Sequence, residues 1–167
     1  EFRLLTGDYG RALAAAEQSI ARMPPERSAS RFYAYDYAIR ALWQLCDFQG
    51  IRAAASKLLA LGPLSECVLS QANAMSAFSA LFSGEREAAR EGFVQAEFYA
   101  AQILNDFAKV DALRTLALCR YLGGESVKAE STALEALTLG LRHSCYWPSF
   151  TLLVLLVYYP VFNYSFI

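Results

Sequence analysis

The feature that most constrains this chain is a spacing. Gly7, Cys46, Gly84 and Gly124 stand 39, 38 and 40 residues apart, and each opens a segment of the same pattern. Five residues past these anchors come Ala12, Ile51, Ala89 and Ala129, nine past come Ala16, Ala55, Phe93 and Ala133, and twelve past come Ser19, Leu58, Ala96 and Ala136. Seventeen past, the first two segments carry Pro24 and Pro63, and the last two carry Ala101 and Leu141. A fixed period of this length predicts an array of similar supersecondary units, to be weighed before any local reading.

Each position has a physical task in two helices joined by a tight turn. Glycine closes the first helix because, without Cβ, it takes a left-handed conformation at little cost, so TGDYG, SGERE and GGESV read as turns. Cys46 is the departure from this rule. The small residues at the fifth and twelfth positions are seven apart, on one face of the second helix, where they let the paired helix approach closely. Proline at the seventeenth ends that helix, since it lacks the N–H and restricts the residue before it. Helices are predicted near 1–6, 9–23, 30–46, 49–61, 65–83, 86–102, 105–122, 125–140 and 148–158, with PPERSAS, 24–30, as the longest loop.

With 167 residues, 56% hydrophobic and 19% charged, the chain can bury the core of one domain or one block of units. Its 15 basic and 16 acidic residues give a net charge of -1 and no Lys/Arg run, which argues against direct nucleic-acid binding. Cys46, Cys67, Cys119 and Cys145 form no C-x-x-C pair and read as reduced core thiols of a cytoplasmic protein. No basic leader precedes the first helix, and the chain reads as a piece of something longer.

Catalysis finds little support. His143 lies two residues from Cys145, but no further ligand or base falls at a useful spacing for a metal site or a Cys-His dyad, and a loop histidine accounts for it. Glu85/Glu87 and Glu125/Glu130 fall at helix starts, where the helix dipole favours them. No glycine-rich phosphate loop occurs. The expectation is a protein without enzymatic activity, cofactor or metal.

The combination of Gly7, Ala12 and Pro24, of Gly84 with Ala89, Phe93 and Ala96, and of Gly124 with Ala129, Ala133 and Ala136 resembles the tetratricopeptide repeats. That family's period is ~34 residues, and the aromatic signature of its first helix is poorly kept here. The longer units look like the divergent repeats in sensor arms of large bacterial signal-transducing regulators, such as activators of the maltose-regulon type and related ATPase regulators. The resemblance implies an all-α, right-handed superhelical solenoid of antiparallel helix hairpins, with a concave groove lined by the first helices. Carried onto this sequence, the groove positions are Tyr33, Asp36, Arg40, Trp43 and Gln44, then Gln71 and Phe78, then Asp111, Arg114 and Tyr121. Rings beside single charges suit an extended peptide or a small ligand, because rings offer area at low entropy cost and arginine forks onto carboxylates. Taken singly, each also reads as a core ring or, for Asp36 with Arg40, as an i,i+4 surface pair.

Two other readings stand beside a peptide-binding or scaffold module. One is a small-effector sensor, which a pocket closed by Trp43, Phe78 and Tyr121 would favour over an open channel. The other is a membrane-associated adaptor, resting on the 24 uncharged residues 144–167. That stretch has the length to span a bilayer. Its apolar centre from Phe150 to Phe162 is only 13 residues, however, Pro160 interrupts it and no basic cluster flanks it. A partial fifth unit over 147–167, with the next anchor due near Asn163, accounts for it better, leaving an apolar face for a second copy or another chain.

Overall fold

The computed structural model describes residues 7–24 and 28–143. Among them seven α-helices follow one another: α1 (Tyr9–Arg22), α2 (Ser28–Gln44), α3 (Phe48–Leu59), α4 (Glu66–Phe82), α5 (Arg86–Gln102), α6 (Asp106–Leu122) and α7 (Ser126–Arg142). No described residue lies in a strand, so the fold is all-α over this range. The helices predicted at 1–6 and 148–158, and with them the partial fifth unit, lie outside the described residues.

The anchors of the spacing are turn residues. Positive φ occurs at Gly7 (79°), Cys46 (55°), Gly62 (102°), Gly84 (79°) and Gly124 (83°), so all four anchors are among the five described residues with this conformation. After α2, Asp47 N–H donates to Leu42 O and Cys46 N–H to Trp43 O. After α4 the same bonds run from Glu85 to Ala80 and from Gly84 to Leu81, and after α6 from Glu125 to Arg120 and from Gly124 to Tyr121. This paired pattern satisfies the last carbonyls of a helix and turns the chain sharply. The residue after each anchor starts the next helix: Asp8 and Asp47 accept from Arg11 N–H and Gly50 N–H as side-chain caps. Glu85 makes no such cap and instead holds Arg52 of α3 in a two-pronged ion pair.

Proline sets helix length where it is kept. The helices α1 and α3 stop at Arg22 and Leu59, ahead of Pro24 and Pro63, while α5 and α7, without it, run on to Gln102 and Arg142. One expectation is corrected here: the longest connection between described helices is 60–65, not 24–30. Ser28 to Ser30 already form the start of α2, whereas Gly62 and Pro63 unwind the chain between α3 and α4.

Every helix packs on its successor, and α4 packs on α6 as well. The small residues face these contacts: Ala89, Ala96, Ala129 and Ala136 are buried, as are Ile51, Ala55 and Leu58 in α3. Contact is close where Gly92 of α5 meets α4, since a Cβ there would lie 2.8 Å from the Ala77 Cβ. Buried hydroxyls are matched, with Ser70 Oγ donating to Ala96 O at 2.8 Å and Ser79 Oγ to Phe48 O.

The core forms three successive clusters. The first joins Tyr35, Ile39, Leu42, Ile51, Leu58 and Val68. The second joins Phe78, Phe93, Ala96, Leu116 and Cys119, and the third joins Ala100, Leu113, Ala117, Ala133 and Ala136. Trp43, Phe48 and Met75 pack against both the first and the second. Full burial of a large apolar side chain contributes roughly 1.5–3 kcal/mol, so the rings and branched residues of the first two clusters dominate. The cysteines differ from the expectation of four core thiols: Cys119 is buried and Cys67 half-buried, but Cys46 is exposed because it occupies the turn after α2. Cys145 lies outside the described residues.

Candidate functional site

Three helices contribute one stripe each to a shared depression of about 160 Å³. From α2 come Asp36, Arg40, Trp43 and Gln44, from α4 Gln71 and Met75, and from α6 Arg114, Thr115, Leu118 and Cys119. On each helix these residues recur at steps of three and four, which puts them on one face. The helices α4 and α6 are in direct contact, and the Trp43 indole stacks on Phe78, which joins α2 to α4.

Six residues expected in a groove therefore line one depression: Asp36, Arg40, Trp43, Gln44, Gln71 and Arg114. Asp111 stands behind them and positions two of the six. Its Oδ1 accepts from Arg114 Nε at 3.1 Å and Nη2 at 2.7 Å, and its Oδ2 accepts from Gln71 Nε2 at 2.7 Å. On α2, Arg40 Nε donates to Asp36 Oδ2 at 2.8 Å. Three expected residues fall elsewhere. Phe78 is a correction, because at 2% exposure it belongs to the core beneath Trp43 rather than to a groove surface. Tyr33 is exposed and tilted against Phe32, and Tyr121 is half-buried outside the lining.

Met75, Thr115, Leu118 and Cys119 were absent from the expected set. Met75 is four residues beyond Gln71, Thr115 four beyond Asp111, and Leu118 four beyond Arg114. Extending each stripe by one helical step would have found these three, and Cys119 lies one step further, four residues beyond Thr115. As neutral residues of ordinary core type, they carried no other signal.

Burial shapes the electrostatics here. It lifts the Asp36 carboxyl above its ordinary range, with nearby Asp111 adding to the effect, although Arg40 and Arg114 pull the other way. Burial also lowers the Arg40 guanidinium, but Asp36 and Asp111 outweigh it and leave Arg40 raised. Cys67, at the start of α4, is pushed up to about 11 by burial and by the same two aspartates. Burial raises Cys119 further. Both thiols are therefore protonated at neutral pH and weakly nucleophilic.

A second polar cluster lies in the α5–α7 region. Arg120 is 2% exposed, bonded through Nη2 to Glu97 at 2.6 Å and through Nη1 to Thr132 Oγ1 at 3.1 Å. Glu125 is 3.6 Å from its Nε, and its Cζ lies 5.9 Å from the Phe93 ring centroid. His143, at the end of α7, places Nε2 3.0 Å from Asp106 Oδ2 at the start of α6. It closes the foot of that helix pair. Among the described residues no group of three His, Cys, Asp or Glu could hold a metal ion, and no helix is long and apolar enough to cross a membrane.

Compared with protein-family models, curated proteins and solved structures, the chain matches none.

Proposed function

We propose that this chain is a non-catalytic protein-interaction module of tetratricopeptide-like helix pairs, a regulatory scaffold that receives an extended peptide segment on the face built by α2, α4 and α6. The observation that carries this reading is the convergence of Asp36, Arg40, Trp43, Gln44, Gln71 and Arg114 on one depression. The recurrence of one turn geometry at Cys46, Gly84 and Gly124 supports a solenoid, as does the contact of α4 with α6. The small-effector reading is weaker. Drug-sized ligands occupy pockets of roughly 300–1,000 Å³, whereas this depression measures about 160 Å³ and neither Phe78 nor Tyr121 closes it.

Selection of a displayed random-peptide library against the full chain tests the reading. Enriched peptides should bind the native protein and lose binding to both Trp43→Ala and Arg114→Ala. Peptides that bind those variants undiminished, or no enrichment over an unrelated helical protein, would remove the groove from consideration.

A further inference from the structure

What a partner places in the depression follows from the charges and walls that face it. Two guanidiniums are present, and each already holds a carboxylate of its own: Arg40 holds Asp36 and Arg114 holds Asp111. Two positive and two negative groups leave no net charge for a guest ion to neutralise. Arg114 has committed Nε and Nη2 to a single aspartate oxygen, and Gln71 secures the other oxygen of that aspartate. A carboxylate entering here would meet Asp36 and Asp111 as well as the arginines, and an ammonium would meet the reverse. Taking an ion out of water costs several kcal/mol even after relaxation, and only an unmatched counter-charge could return that.

The remaining lining is uncharged and mixes apolar with polar side chains. Trp43, Met75, Leu118 and Cys119 supply it, with Gln44, Gln71 and Thr115 as neutral polar neighbours. An apolar cavity of roughly 150 Å³ accommodates one benzene molecule. The depression, at about 160 Å³ and open to solvent on one side, has room for one such group. A glutamine carries both donors and an acceptor, so Gln44 and Gln71 can meet the N–H and C=O of a peptide unit beside that group without a charge on either side.

We infer that the depression seats one uncharged side chain of benzene size, that of Phe, Leu or Met, from an extended partner segment, whose adjoining amides are held by Gln44 and Gln71. The inference rests on the groove reading above and gives it a ligand class. Binding here selects against charged side chains as much as for apolar ones, because the resident Asp–Arg pairs already balance in charge without the guest.

The test uses the full chain labelled with ¹⁵N. The Trp43 indole resonance is distinguished from that of Trp147, the second of the chain's two tryptophans, by its persistence in Trp147→Phe. N-acetyl-phenylalaninamide and N-acetyl-leucinamide are titrated beside N-acetyl-lysinamide and the singly charged N-acetyl-glutamic acid amide. The two neutral probes should shift the Trp43 resonance saturably, with the charged probes at least tenfold weaker. Leu118→Asp, which puts a charge on the wall, should abolish the response, and Leu118→Met should keep it; the spectrum itself reports whether each variant is folded. A charged probe binding as tightly as the neutral ones overturns the ligand class while leaving the groove in place. No response to any probe overturns the side-chain seat, and the groove then stands or falls on the peptide selection alone.

Discussion

The ring of Trp43 lies 4.6 Å from that of Phe78, centroid to centroid, and 26° from parallel to it. One is a wall of the depression and the other is core, so the core sets where the wall stands. Phe78 is itself fixed edge-on by Phe48 and Phe82. Phe78→Leu is expected to cost about 1–2 kcal/mol in urea unfolding, since volume is largely kept. Phe78→Ala is expected to cost about 3–5 kcal/mol. Phe78→Leu should also weaken the neutral probes, although Phe78 does not line the site. Unchanged probe binding in that variant would show that Trp43 holds its position without the ring beneath it.

Cys46 occupies a position where the equivalent turns have glycine, with φ of 55°. A left-handed conformation costs an L-residue roughly 1–2 kcal/mol, partly offset by the chain entropy that glycine loses on folding. Cys46→Gly is therefore expected to stabilise the protein by about 0.5–1 kcal/mol. Gly84→Ala and Gly124→Ala should each destabilise it by about 1 kcal/mol. At both glycines an added Cβ meets nothing within 4 Å, so the cost isolates the backbone. Opposite signs in chemical denaturation are the outcome to look for.

Close helix contact can be probed on α5. Ala89→Leu should cost about 1–3 kcal/mol by overpacking. Gly92→Ala is the sharper case. Helix propensity favours alanine by about 1 kcal/mol, but the new Cβ would stand 2.8 Å from the Ala77 Cβ and 3.3 Å from its Cα. The steric term is expected to win, for a net loss of about 1–2 kcal/mol. A higher melting temperature for Gly92→Ala would mean that α4 and α5 separate without penalty.

The raised Asp36 carboxyl has a sign that can be worked out. Burial is the main cause, and it makes the folded protein bind this proton more tightly than the unfolded chain does. The contribution to stability is then most favourable below the unfolded value and declines as pH rises through the folded one. Asp36→Asn removes the titration at constant shape. Its stability relative to the native protein should rise between about pH 4 and about pH 7, bracketing the ordinary and the raised aspartate range. Urea midpoints at both pH values measure this, and a relative stability that falls over the interval contradicts it.

Arg120 gives a contrast between packing and charge. Its partner Glu97 is 52% exposed and reaches water when the guanidinium is removed, whereas the Glu125 Oε2 that faces it is buried, 3.6 Å from Lys128 Nζ. Arg120→Met, which keeps most of the stem, should cost about 1 kcal/mol, and Arg120→Ala about 3 kcal/mol through the cavity it leaves. Equal losses in thermal unfolding would assign the whole effect to the charge.

Much of the helix order was legible because glycine, alanine and proline act locally. The anchor at Gly84 predicts its turn from conformational freedom alone, and Ala89 and Ala129 predict burial from period alone. Cys46 shows what spacing adds, since its own side chain argues against the turn it makes. Phe78 shows the limit. A phenylalanine seven residues beyond Gln71 has the register of the groove stripe, and only packing against Phe48, Phe82 and Trp43 decides that it faces inward. The burial of Arg120 was likewise unreadable, because it depends on Glu97, Glu125 and Thr132, from two other helices and a turn, arriving together.

Trp43 and Met75 pack against two core clusters at once and also line the depression. In arrays of stacked units, cooperativity is carried by the interfaces between neighbours more than by the units themselves. A guest resting on these two side chains presses on the joint between adjacent cores, and any ligand selective for the folded state raises the free energy of parting them. Occupancy of so small a site then binds two cores together, and the midpoint of the thermal transition becomes a gauge of whether the site is filled.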